Sequence, residues 1–185
     1  MRRWPLVLPV LVVLLAVPAA VVPASAARTT KAVEQREEGL EQGILREVNQ
    51  LRVAHGLRAL TISAPLQAAA SFQSRDMLER GYFDHNQPGG TTFGARLKRF
   101  YPLTAGSTWL VGENLLWGTL GITPAAAVKL WLSSPPHRRN LLDASWREVG
   151  VGAFDTAAPT GAFAAAGGPV VVVTMDFGSR SAAKR

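Results

Sequence analysis

This chain of 185 residues carries three imidazoles, His55, His85 and His137, and no cysteine. Without thiolates, nucleophilic, acid–base or metal chemistry must come from imidazole, hydroxyl and carboxylate groups. His55 sits one residue before Gly56, in the last turn of a helical pattern. The helix dipole favours a cation there, so a structural role suffices. His85 lies in Tyr82-Phe83-Asp84-His85-Asn86, a polar loop directly after a helix end, with two aromatic residues to pin it. His137 lies in Ser133-Ser134-Pro135-Pro136-His137-Arg138-Arg139-Asn140. With Ser134 as N-cap, His137 falls near the third helical position, where the positive helix end opposes imidazolium. Neutral imidazole is the form that binds a metal or accepts a proton.

The third element is Glu113, between Gly112 and Asn114 in the apolar run Val111 to Leu116. That pattern predicts a carboxylate at the end of an apolar strand. Partial desolvation raises its pKa unless a cation or hydrogen-bond donors compensate. Two histidines and a glutamate can form an open divalent site; the plainer alternative is three loop residues satisfying local hydrogen bonds. Ser133, Ser134, His137 and Glu113 can also be drawn as a serine hydrolase arrangement. Ser134 has a simpler use as a helix cap ahead of proline. No HExxH, GxSxG or P-loop pattern is present.

The elements that must position these groups are helices first and strands late. Leu40, Ile44, Val48 and Leu51 recur at helical spacing up to a Gly56 cap. Leu60 to Ile62 reads as a short extended piece. Ser63 and Pro65 open a second helix that ends at Gly81, Thr92 caps a third over Phe93 to Phe100, and residues 101–112 read as irregular. Thr123 and Pro124 begin a fourth helix, and His137 to Leu142 form a short fifth turn. Val149 to Phe154 and Pro169 to Phe177 are β-type runs joined by the loop Ala157 to Gly168. Trp109, Trp117, Trp131 and Trp146 read as core anchors, of which one or two line a cleft. This order predicts an α+β fold rather than alternating βα units.

The first 26 residues read as a secretory signal. Arg2 and Arg3 precede an apolar run from Trp4 to Val22, and Ala24-Ser25-Ala26 has the spacing that a signal peptidase reads. Three prolines within the run argue against a retained membrane span. Residues 27–39 read as a linker, and 179–185 as a polar tail. The formal charge of +7 becomes +5 once Arg2 and Arg3 are removed. A basic chain suits an anionic cell envelope. Its arginines are scattered and not interleaved with aromatics, so nucleic acid is not an expected partner.

Taken in order, several short segments resemble a known family: Ile44 to Arg52, Leu57 to Leu60, Phe83-Asp84-His85, Gly112-Glu113-Asn114-Leu115, Trp131 to Leu142, and Val149-Gly150-Val151-Gly152. Together they resemble the CAP superfamily, the SCP-domain secreted proteins related to cysteine-rich secretory and pathogenesis-related proteins. The resemblance covers about residues 40–178 and implies a three-layer α-β-α sandwich. It also implies a central cleft lined by two histidines and two glutamates, where some members bind zinc or another divalent cation. His85, Glu113 and His137 match three of these positions, with His85 and His137 as the implied metal ligands. The second glutamate falls at about Ser134, so one acidic partner is missing.

These readings lead to a secreted binding module at or outside the cell envelope, extracellular or wall-associated, with a cleft formed by His85, Glu113 and His137. Its implied ligands are a lipid, a sterol, a wall fragment or an envelope polymer, with a divalent metal as the optional cofactor. One alternative is a metal-assisted or serine-dependent hydrolase with Glu113 and Ser134 as candidate catalytic residues. Another is a basic structural protein of the wall.

Overall fold

The computed structural model describes residues 34–103 and 108–181. The signal reading over 1–26 and most of the linker lie outside these residues. In chain order the elements are β1 (Gln35–Arg36), α1 (Glu38–Ala54), β2 (Thr61–Ile62), α2 (Ala64–Arg80), α3 (Phe93–Phe100), β3 (Thr108–Thr119), α4 (Pro124–Ser133), α5 (Pro135–Leu142), β4 (Glu148–Thr156) and β5 (Val170–Ser181).

The strands form one sheet in the order β1-β4-β5-β3, with antiparallel neighbours throughout. The short β2 adds parallel to one end of β4, pairing Thr61 with Glu148. One face carries α1, α4 and α5. Ile44, Val48, Val128, Trp131 and Leu141 there pack on Val149, Val151, Val171, Val173, Met175 and Phe177. The other face carries α2 and α3 through two smaller apolar clusters around Met77, Phe154 and Phe163, and around Leu66, Leu97 and Tyr101. This is the three-layer α-β-α sandwich.

The Val-Gly-Val-Gly pattern of β4 records the two layers. Strand side chains alternate between faces, so Val149 and Val151 enter the α1 side, and Gly150 and Gly152 turn toward α2. A Cβ at Gly150 would lie 2.1 Å from the Leu66 carbonyl carbon, and one at Gly152 would lie 2.4 Å from that of Ala70. Only glycine allows the α2 backbone to lie directly on the strand.

Local signals set most boundaries. Thr92 and Thr123 accept the Ala95 and Ala126 amides and cap α3 and α4. Gly81 ends α2 in the left-handed conformation at φ 66°. Several features differ from expectation. The expected linker enters the fold, because Arg36 pairs with Phe154 and α1 begins at Glu38. The stretch expected to be irregular becomes strand from Thr108, because β5 offers a continuous partner up to Ser181, which also draws the start of the expected polar tail into the sheet. Helix α5 starts at Pro135, two residues before His137. The 157–168 loop contains a 3-10 turn, Gly161–Ala166, whose buried Phe163 stands edge-on to Trp117.

Candidate functional site

Among the described residues, strand β3 pairs only with β5 and forms an edge of the sheet. Its outer carbonyls are covered by side chains from the helices. Asn140 Nδ2 donates to the Glu113 carbonyl at 3.0 Å and to Asn114 Oδ1 at 2.9 Å. Trp131 Nε1 donates to the Leu115 carbonyl at 2.9 Å, and Asn114 Nδ2 to the His137 carbonyl at 3.1 Å. These bonds satisfy an otherwise open edge and hang α5, with His137, beside Glu113.

Glu113 lies within β3 rather than at its end, and its side chain is 1% exposed. Its two oxygens have different partners. His85 Nδ1 lies 2.7 Å from Oε1, and the Arg96 guanidinium donates to Oε2. Arg96 also donates to the His85 carbonyl at 2.8 Å, so one buried cation fixes both the carboxylate and the loop carrying the histidine. Gln73 of α2 grips the same loop through the Asp84 carbonyl. Of the two expected aromatic pins, Tyr82 is half-buried with its hydroxyl 2.6 Å from Asp76 Oδ2, and Phe83 is exposed but meets Phe163 edge-on.

Burial pushes the Glu113 carboxyl up to about 7, against the opposing pull of Arg96. Burial and the nearby Arg96 charge push His85 below its ordinary value, although Asp84 pulls the other way. His137 is also pushed down, first by burial and then by the charge that His85 would carry. The last effect means that the two rings sense each other. Both rings lean neutral near neutral pH, and for His137 the causes are burial and His85.

The structure therefore joins His85 to Glu113 directly and brings His137 within electrostatic reach of His85. His55 stands apart, exposed, its ring bonded to the Leu51 carbonyl at the end of α1. Ser134 occupies the N-cap position of α5 but makes no side-chain cap bond, and Ser133 Oγ donates to the Leu130 carbonyl. Trp131 and Trp146 are buried in the core, whereas Trp109 and Trp117 are half-buried.

Two further members of the cluster escaped the sequence reading. One is Arg96, and the other is Asp176, which faces Glu113 across the β3–β5 pair. Asp176 is fully buried, and neither carboxyl oxygen accepts a hydrogen bond from another described group. Burial, with the Glu113 charge beside it, holds its pKa well above the carboxylate range. A signal for each was available. Arg96 sits on the apolar stripe of α3 with Phe93, Leu97 and Phe100, and Asp176 interrupts a run of sheet-core residues.

The group fits a divalent ion poorly. Both Glu113 oxygens are engaged, the remaining family position is Ser134, and only two imidazoles remain as ligands. Among the described residues no cluster of three His, Cys, Asp or Glu side chains is placed to hold a metal ion. A cavity of about 660 Å³ lies elsewhere, lined by Leu132, Pro135, Arg138, Arg139 and Leu142 on the α5 face opposite His137.

Comparison with known proteins agrees with this fold. The chain is 32% identical over 132 residues to an uncharacterised protein of Bacillus subtilis, YkwD, covering 70% of this chain and 49% of that one, so it spans about half the relative's length. It resembles the crystal structure of an extracellular protein containing a SCP domain from Bacillus anthracis at 28% identity and TM-score 0.58, over 76% of this chain and 40% of that one. The fold also matches an outer surface protein from Borrelia burgdorferi, at 21% identity and TM-score 0.67, over 81% and 99% of the two chains. The pattern of the CAP, or cysteine-rich secretory protein, family matches residues 45–177. With that match spanning most of the sandwich and both histidine segments, this cysteine-free chain belongs to the CAP family.

Proposed function

We propose that this chain is a secreted binding module acting at or outside the cell envelope, whose cleft takes a polar ligand group between His85 and His137. The observation that carries the proposal is that each Glu113 oxygen already has a partner. With one oxygen at His85 and the other at Arg96, Glu113 serves as a fixed acceptor that orients His85. It is poorly disposed to act as a general base toward water. No serine hydroxyl among the described residues is hydrogen-bonded to either histidine, so the nucleophile–base contact of a serine hydrolase is missing. A neutral His85 that donates from Nδ1 presents Nε2 as an acceptor to an incoming donor group.

The extracellular placement is supported by the signal-like first 26 residues and by the descriptions of the Bacillus anthracis and Borrelia proteins as extracellular and outer-surface. No helix among the described residues is long and apolar enough to cross a membrane.

Titration of the protein with soluble peptidoglycan fragments, followed by NMR of the histidine rings, tests the reading. The His85 and His137 ring signals should shift together, and His85→Ala should abolish the response. Ring signals that stay fixed while other residues respond would overturn the assignment of the cleft. Turnover of peptide or ester substrates that disappears in Glu113→Gln would favour the hydrolase instead.

A further inference from the structure

The buried charges near Glu113 do not balance if every acid is ionised. Arg96 supplies one positive charge, Glu113 and Asp176 two negative ones, and His85 leans neutral. Two carboxylates facing each other in a dry sheet repel, and an ionised Asp176 would have no donor to either oxygen among the described residues. One proton on the pair removes both costs. It belongs on Asp176, because Glu113 already receives a hydrogen bond from the buried Arg96 guanidinium, which stabilises its charged form, and has His85 Nδ1 beside its other oxygen. A protonated Asp176 gains the donor that a facing carboxylate needs.

We propose that Asp176 is a positioning residue of the cleft: it stands as a neutral carboxylic acid whose O–H donates to Glu113 and, with Arg96, holds that carboxylate toward His85 Nδ1. The group is then electrically neutral overall, although its centre is an ionised carboxylate. Asp176 touches no ligand. It acts through Glu113, which keeps the proton of His85 on Nδ1 and leaves Nε2 open. The upward shift of the Asp176 carboxyl, caused first by burial, agrees with this arrangement.

The inference gives a mechanism to the proposed binding cleft and rests on that reading for its purpose, but its test needs no ligand. At slightly alkaline pH the exposed acids are ionised, so an infrared band from a protonated carboxyl reports a buried acid alone. The band should be present in the wild-type protein and absent from Asp176→Asn; a wild-type spectrum without it overturns the proposal. The second measurement is the protonation of the His85 ring nitrogens by NMR. Asp176→Asn replaces the O–H donor by an amide N–H and should keep His85 in the Nδ1–H form. Asp176→Ala removes the donor and should populate both tautomers. Loss of the Nδ1–H form in the asparagine variant, or its full retention in the alanine variant, would also overturn the proposal. If the alanine variant does not fold, the wild-type band and the asparagine variant still decide. Absence of any cleft ligand would defeat the binding reading and leave these readouts unchanged.

Discussion

The two faces of strand β5 are built from opposite chemistry. Toward α1, α4 and α5 it presents Val171, Val173, Met175 and Phe177, all buried in hydrocarbon. Toward α2 and α3 it begins with Val170 and Val172 but continues with Thr174, 2.8 Å from the Ser74 hydroxyl, and with Asp176 facing Glu113. The apolar face is held by contacts that do not depend on direction, so it tolerates exchange of one aliphatic group for another of similar volume. The polar face is held by directed bonds, and losing one partner strands the next. The first face stabilises the sandwich; the second gives up part of that stability to a fixed arrangement of ionisable groups beside the open edge of β3.

The largest expected effect breaks the polar face. Arg96→Ala leaves Glu113 buried without its cation and should cost about 3–5 kcal/mol, measured by urea unfolding. A loss under about 1 kcal/mol would mean that the pair is solvated and the contrast between the faces is false. On the apolar face, Val173→Ala should cost about 2 kcal/mol, from lost transfer energy and a residual cavity, with little effect on the His85 ring signals.

Stability against pH sharpens the comparison, since only the polar face titrates. Glu113 holds its proton up to about pH 7 in the fold, against an ordinary value of 4.5, and Asp176 is shifted in the same direction. Between unfolded and folded values the native state carries more protons, so stability falls as pH rises through that window. His85 and His137 are shifted down and have the opposite sign, but their contribution ends near their unfolded value of 6.5. Melting temperatures should therefore fall between about pH 6.5 and about pH 8, and fall less in Asp176→Asn. A flat profile would remove the buried acid pair. The smallest expected effect is at Ser134. A working N-cap serine is worth about 1 kcal/mol, but Ser134 makes no cap bond, so Ser134→Ala should change unfolding by less than about 0.5 kcal/mol.

The same division explains what could be read from the sequence. The apolar layers were legible because hydrocarbon burial writes a period into the chain: Leu40, Ile44 and Val48 mark α1, and the valine block marks β5. His85, Glu113 and His137 were legible as unusual polar residues in short, specific segments. Arg96 was missed: in Phe-Gly-Ala-Arg-Leu-Lys-Arg-Phe its place on the apolar stripe sets it apart from Lys98 and Arg99, but only the partner in β3 gives that place a meaning. Asp176 required the register of β3 against β5, a long-range pairing that no local pattern encodes. The edges of β3 and β5 were misplaced for the same reason: a strand extends as far as its partner does.

The proposed binding site requires His85 and His137 to face one cleft. The most direct check is the pH titration of the His137 ring by NMR in the wild-type protein and in His85→Ala. His137 is pushed down by burial and by the charge of His85, so removing His85 should raise the pH at which His137 takes up its proton. An unchanged or lower titration point would place the two imidazoles on separate surfaces and contradict the shared site.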